Sequence, residues 1–349
     1  MKSDSICRDR ENRPYRYAGM CLLLSVTMTI ASTPLALADD SCGANAIEVG
    51  RTERDNAIDV KCKCVEGFEH EGVGCVPVKP KSPPKPTALC PSLQKQMGAI
   101  RSAASRAAIA EDVYNLYSHP EKGFLIPWTA PPGYDLLSND IKKLRQIFPG
   151  RTAPQIAGLF APPNTAYRAA IYATDGGKTL VVAFQGTLPP SEGIRDWTDA
   201  NGPNYRGHAS SYFSRAGELA VAVRQYAEAK HLKLEMVGHS LGGALATWAG
   251  IKAGAKTTVF NAENVRQPGL PEGAEKQAES LVTDYVTPHD IVTGLQTEHP
   301  ALGREVILPA VPGGPQGMLP QHRIEYVRKA LDVQEENLSK ALSANSCRQ

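Results

Sequence analysis

The stretch "LEMVGHSLGGALATW", residues 234–248, constrains the fold more than any other part of this chain. "LKLEMV" has the length and apolar character of a buried strand, and "LGGALATWAG" reads as a helix rich in small residues. Between them stands the pentad Gly238-His239-Ser240-Leu241-Gly242. A serine on so sharp a strand-to-helix turn is pushed outward at a helix N-terminus. There the dipole and the free N–H groups favour developing negative charge. The two glycines are required because side chains in their places would strike the neighbouring strand and helix. A Gly/Ser turn without chemistry is the alternative, and strand, elbow and helix in register argue against it.

The rest of the chain supplies a sheet for that strand. Residues 169–174 alternate, Asp175-Gly176-Gly177 makes a tight turn, and "TLVVAF" is a continuous apolar run, so a hairpin enters the sheet here. "AGELAVAVRQYAEAK" predicts an amphipathic helix, "KTTVFNA" a strand, "ESLVTDYVTPHD" a strand ending at Pro288, and "HRIEYVRKALDVQEENLSKAL" a last helix that His322 begins. Upstream, "SLQKQMGAIRSAASRAAIAEDVYNLY" has helical spacing, and residues 119–165 are broken by Pro127, Pro131, Pro132, Pro149 and Pro154, among others, into loop and short helices. Strands alternating with helices predict an α/β fold with a mostly parallel central sheet.

A serine hydroxyl needs a base, and the base needs an orienting acid, which in this architecture follow in the order Ser, Asp or Glu, His. Asp290 stands just after the strand "LVTDYV", where a strand end would carry the acid. Of the downstream histidines, His322 follows the flexible "VPGGPQGMLP" and is the expected base. His299 is its competitor, though it lies close behind the acid; His289 adjoins Asp290 and points elsewhere. His239 is expected to pack beside the elbow, and Asp284, inside its strand, to be structural. The expected triad is Ser240, Asp290 and His322, with oxyanion donors at the amides of Leu241 and of Thr187, which ends "VVAFQGT".

The combination "TLVVAFQGT…RDWTDA…GHASSYF…LEMVGHSLGGALATWAG…TTVFNA…YVTPHDIVTGL…HRIEYV" resembles the class 3 (fungal-type) lipases over residues 165–330. That resemblance implies an α/β-hydrolase fold and carboxylic-ester hydrolysis. It carries nucleophile, acid, base and first oxyanion donor onto Ser240, Asp290, His322 and Thr187. It also implies a lid between Thr187 and His208 and a structural role for His208. The chain departs from the family at Gln185, where an arginine is usual. The lid segment has few large apolar residues, among them Leu188, Ile194, Trp197 and Tyr205, which leaves room for esters more polar than triglycerides.

The N-terminus reads as an export signal: basic residues, the apolar run from Met20, then Ala36-Leu37-Ala38, so that residues 1–38 are removed and Asp39 comes first. An uncleaved anchor is the alternative. The destination is extracellular or periplasmic. Six cysteines then remain, Cys42, Cys62, Cys64, Cys75, Cys90 and Cys347, an even number that suits disulfides in an exported chain. Residues 39–77 hold four of them in a segment too small to build its own core. "CKCVEGFEHEGVGC" resembles the second half of an EGF-like module, which implies Cys42–Cys62 and Cys64–Cys75 bridges. Residues 78–89 are a Pro/Lys-rich linker to a catalytic domain over 90–349. Cys90 and Cys347 flank that domain. Either they bridge, or Cys90 pairs within the small module and Cys347 is free or joins two chains.

The net charge of +2 gives no reason to expect a nucleic-acid partner, and no metal or cofactor site is legible. The chain thus reads as a secreted serine lipase or esterase acting on lipid or ester substrates, at a membrane or lipid–water interface where the substrate demands one. The alternatives are a phospholipase acting on membranes, and a binding protein that works through its Cys-rich module, whose partner is unknown.

Overall fold

The computed structural model describes residues 46–54, 57–66, 68–71, 74–77, 86–116, 129–188, 194–296, 300–314 and 317–347. The expected signal segment, Cys42 with its implied bridge to Cys62, and His299 lie outside the described residues. The chain divides into two compact units, Met1–Pro83 and Pro84–Gln349.

In the first unit, β1 (Ala46–Arg54) pairs antiparallel with β2 (Ala57–Cys64), and β3 (Phe68–Glu71) with β4 (Gly74–Pro77). A disulfide from Cys64, at the end of β2, to Cys75 in β4 ties the two hairpins together. Two short hairpins in so small a unit need such a link.

The second unit opens with α1 (Pro86–Asp112), which starts inside the stretch read as linker. Proline suits a first helical position, where its missing N–H has no partner to lose. The strand β5 (Asp135–Leu136) and the helices α2 (Ile141–Ile147) and α3 (Ala153–Phe160) follow, then the hairpin β6 (Ala169–Thr174) and β7 (Thr179–Phe184). Short helical turns α4 (Ile194–Asp196) and α5 (Gly202–Tyr205) lead to α6 (Ser211–Ala229). The alternation continues through β8 (Lys233–His239), α7 (Leu241–Ala253), β9 (Lys256–Phe260), α8 (Ala274–Leu281), β10 (Val282–Val286), α9 (Ile291–Leu295) and β11 (Arg304–Ile307). It ends with α10 (Met318–His322) and α11 (Ile324–Ala344).

These strands form one seven-stranded sheet in the order β11-β10-β9-β8-β7-β6-β5. From β7 to β11 the pairs are parallel, while β5–β6 and β6–β7 are antiparallel. Alternation along the strands feeds two cores. Ile171, Val182 and Met236 face α2, α3, α6 and α7, whereas Tyr172, Val181 and Val237 face α1 and α11. The protein therefore has the α/β-hydrolase layering that the sequence predicts.

Several boundaries differ from the sequence reading. "ESL" belongs to α8 rather than to the following strand. His322 ends α10 instead of opening the last helix, because Arg323 is extended (φ −65°, ψ 142°) and separates the two. β11 was not foreseen; it is a short, polar edge strand without an apolar run. Cys90 and Cys347 are joined by a disulfide, which rules out both a Cys90 bridge into the small module and a free Cys347.

Candidate active site

The site gathers at the C-terminal ends of the parallel strands, where an open α/β sheet leaves room for a ligand. Ser240 follows β8 directly and caps α7, with φ 58° and ψ −129°. A non-glycine residue in that region is strained and is held there by its surroundings. Those surroundings admit no side chain on either flank. A Cβ on Gly238 would stand 2.0 Å from the Gly242 carbonyl oxygen, and one on Gly242 would stand 2.2 Å from the Phe184 carbonyl oxygen. The close approach of α7 to β7 and β8 thus depends on both glycines.

His322 Nε2 lies 2.8 Å from Ser240 Oγ, and His322 Nδ1 lies 2.6 Å from Asp290 Oδ2. The Nδ1–H donates to the carboxylate, so Nε2 carries the lone pair and accepts from the serine hydroxyl. Asp290 is buried and caps α9. Its Oδ1 accepts from the Thr293 amide at 2.8 Å and from the Thr293 hydroxyl at 3.0 Å. Both carboxylate oxygens are therefore engaged, and the acid cannot swing away. The three residues singled out by sequence order stand together as one hydrogen-bonded chain. His289, next in sequence to the acid, has positive φ and makes no contact with the serine among the described residues.

The amide N–H groups of Leu241 and Thr187 have no hydrogen-bond partner among the described residues. Thr187 is held by its hydroxyl, which shares two contacts with the Asn201 amide at 2.9 and 3.3 Å. The next amide, Leu188, donates to Asp196 Oδ2 at 3.1 Å. Burial pushes the Asp196 carboxyl up to about 6, against the opposing effect of that hydrogen bond. Gln185 is buried with neither amide atom partnered among the described residues. His208 is exposed, and its backbone amide donates to the Pro203 carbonyl at 2.8 Å.

Three residues that the sequence did not single out hold this arrangement. Asn261, fully buried after β9, donates from Nδ2 to Thr287 Oγ1 at 3.1 Å and to the carbonyls of Gln321 and His322 at 3.3 Å each. Thr287 in turn donates its amide to Asn261 Oδ1 and its hydroxyl to the Gln321 carbonyl. The helix end that carries His322 is thereby fixed to two strand ends. His239 packs beside the elbow as expected and does more: its Nε2–H donates to the His322 carbonyl at 2.6 Å. Burial, then the nearby His322, holds His239 down at about 3, so it is neutral, and its Nδ1 accepts from the Tyr114 hydroxyl at 3.1 Å. The Tyr114 oxygen also takes the Gly186 amide, linking the loop before Thr187 to the base. Asn261 falls within the class 3 motif "TTVFNA"; Tyr114 and Thr287 carry no local signal.

Within the expected lid, Trp197–Asn201 form a π-helical turn between α4 and α5, with Trp197 and Tyr205 exposed and Leu188 buried. The sheet order, the serine elbow and the hydrogen-bonded Ser-His-Asp chain together define a class 3 lipase-like α/β-hydrolase.

Residues 105–341 match the Tle-like phospholipase domain, described as phospholipase-like, and the chain belongs to that family. It is also 28% identical over 218 residues to the extracellular phospholipase A1 of Serratia liquefaciens, an alignment that covers 58% of this chain and 64% of that protein. The match thus spans less than two thirds of the length of this relative. Among solved structures, lipase II of Rhizopus niveus is similar at 17% identity and TM-score 0.38, covering 60% of this chain and 81% of that one. The triacylglyceride lipase of Rhizomucor miehei is similar at 16% identity and TM-score 0.39, covering 60% and 80%.

Proposed function

We propose that this chain is an exported phospholipase that cleaves acyl esters of glycerophospholipids through an acyl-enzyme on Ser240. The observation that carries the reading is the unbroken hydrogen-bonded chain Ser240–His322–Asp290 beside two unpartnered amides. Ser240 Oγ attacks the ester carbonyl as its proton passes to His322 Nε2, with Asp290 stabilising the imidazolium. The amides of Thr187 and Leu241 receive the oxyanion. His322 then gives the proton to the leaving alcohol. A water molecule, deprotonated by the same nitrogen, releases the fatty acid and restores the serine. Family membership and the Serratia phospholipase A1 favour phospholipids over triglycerides.

The export reading adds that residues 1–38 are removed. On this reading residues 39–77 are a small Cys-rich module that contains the Cys64–Cys75 bridge, and residues 78–89, whose last part enters α1, lead to the catalytic domain. Secreted protein should begin at Asp39. Recovery of a membrane-bound chain that retains Met20 to Ala38 contradicts the cleavage.

The test of function is a panel of phosphatidylcholine, triolein and a short p-nitrophenyl ester with purified protein. Phospholipid should release fatty acid fastest. Ser240→Ala, Asp290→Asn and His322→Ala should each lower the rate at least about a thousandfold without loss of fold, because the three act as a unit. Full activity in His322→Ala would assign the base elsewhere, and no hydrolysis of any ester would leave a binding protein.

A further inference from the structure

A cavity of about 540 Å³ is lined by Trp197, Asn201, Tyr205, Glu263, Arg266 and Leu295, among others. Two of its wall residues are hydrogen-bonded to non-reacting atoms of Ser240 and Thr187. The Glu263 amide donates to the Ser240 carbonyl at 3.1 Å, and Asn201 Nδ2 to the Thr187 hydroxyl at 2.9 Å. The cavity carries both signs of charge. The Arg266 guanidinium lies over the Tyr205 ring, 5.6 Å from its centroid. Stacking uses the face of that planar group and leaves its in-plane N–H donors open. Among the described residues those donors meet no acceptor, and the Glu263 carboxylate meets no donor and no cation. Desolvation and the nearby Asp196 raise the proton affinity of Glu263, so its carboxylate gains from any cation brought to it.

A guanidinium and a carboxyl that ionises at about pH 7 therefore line one cavity without pairing with each other. An uncharged ester would leave both unpaired, an arrangement that favours no such substrate. The wall mixes apolar surface from Trp197, Tyr205, Val292 and Leu295 with the polar Glu263 and Arg266. A ligand with a fixed anion and a fixed cation a few bonds apart matches it. A phosphodiester takes the open edge of Arg266, and an ammonium takes the Glu263 carboxylate and the exposed faces of Trp197 and Tyr205.

We infer that this cavity is a head-group subsite that selects zwitterionic glycerophospholipids, with Arg266 on the phosphate and Glu263 on the ammonium. The inference rests on the phospholipase reading above and names the substrate class within it.

The test uses the full chain and three substrates: mixed micelles of phosphatidylcholine, mixed micelles of phosphatidylglycerol, and a soluble p-nitrophenyl ester that has no head group. The parent protein should prefer phosphatidylcholine to phosphatidylglycerol. Arg266→Gln should lower kcat/KM for both phospholipids relative to the soluble ester by about tenfold, the loss of one charge-assisted contact. Glu263→Gln, which keeps the shape, should lower the phosphatidylcholine-to-phosphatidylglycerol ratio by about five- to tenfold. Arg266→Lys, retaining charge without the fork, should fall between and serves if Arg266→Gln does not fold. Ratios unmoved by either variant, with phospholipids still cleaved, overturn the head-group subsite and leave the phospholipase reading standing. A parent protein that cleaves only the soluble ester overturns both.

Discussion

Removing both Cys90 and Cys347 isolates one physical effect. The bond joins the first turns of α1 to the residue after the last turn of α11, closing a loop with a sequence separation of 257. In the chain-entropy picture such a closure removes freedom from the unfolded chain worth about 5.5 kcal/mol at 25 °C. The native ends are already held by other contacts. Leu93, Met97 and Ile100 of α1 are buried in the same core as Leu338 and Leu342 of α11, and the Cys347 amide donates to the Leu342 carbonyl at 3.0 Å. Opening the bond therefore leaves the folded state in place, and the loss falls on the unfolded side. Residual structure there reduces the full value, so Cys90→Ala/Cys347→Ala should lose about 3–5 kcal/mol. With a urea m-value of about 2–3 kcal/mol/M, the midpoint should fall by about 1–2 M. Equilibrium unfolding followed by far-UV circular dichroism and by intrinsic fluorescence reads this, after peptide mapping has confirmed the linkage in the parent. A loss below about 1 kcal/mol with the linkage confirmed would refute the closure argument.

Asp284 is buried in β10 and its folded value is raised to about 7, first by desolvation. The folded state keeps a proton that the unfolded chain releases from about pH 4 upward, so stability falls between pH 4 and 7 and is level above. Asp284→Asn should gain about 2–4 kcal/mol over the parent at pH 8 and little at pH 4 in urea titrations; an equal gain at both pH values contradicts the burial argument. Tyr114→Phe keeps the ring but removes the hydroxyl between Gly186 and His239. It should lower kcat about tenfold with KM little changed, since it loosens the base and the Thr187 loop rather than the substrate; an unchanged kcat in steady-state assays removes Tyr114 from the positioning network.

The elbow was legible because every element of it is local: an apolar strand, a Gly-x-Ser-x-Gly turn and a helix of small residues lie within fifteen positions. Asp290 was legible as the residue just past a strand, and His322 as a histidine late in the required order. Its place on α10 was not, because one extended residue, Arg323, splits what reads as a continuous helical pattern. β11 escaped notice since "REVI" at a sheet edge is polar and half exposed. α8 was absorbed into the next strand because Leu281 runs directly into Val282. Tyr114, Asn261 and Thr287 act through buried hydrogen bonds between segments far apart in the chain, and no spacing rule announces such a contact. Glu263 and Arg266 became meaningful only when the fold set both charges around one cavity.

Ser240, activated by His322 and Asp290, is the proposed nucleophile. This role is tested most directly by reacting the purified protein with a fluorophosphonate and locating the adduct by peptide mass spectrometry. One adduct is expected, on Ser240, formed in step with loss of ester hydrolysis. The adduct should be absent in Ser240→Ala and slowed at least about a hundredfold in His322→Ala, where the proton has no acceptor. An unlabelled Ser240 in protein that still hydrolyses esters, or labelling at undiminished rate in His322→Ala, would contradict it.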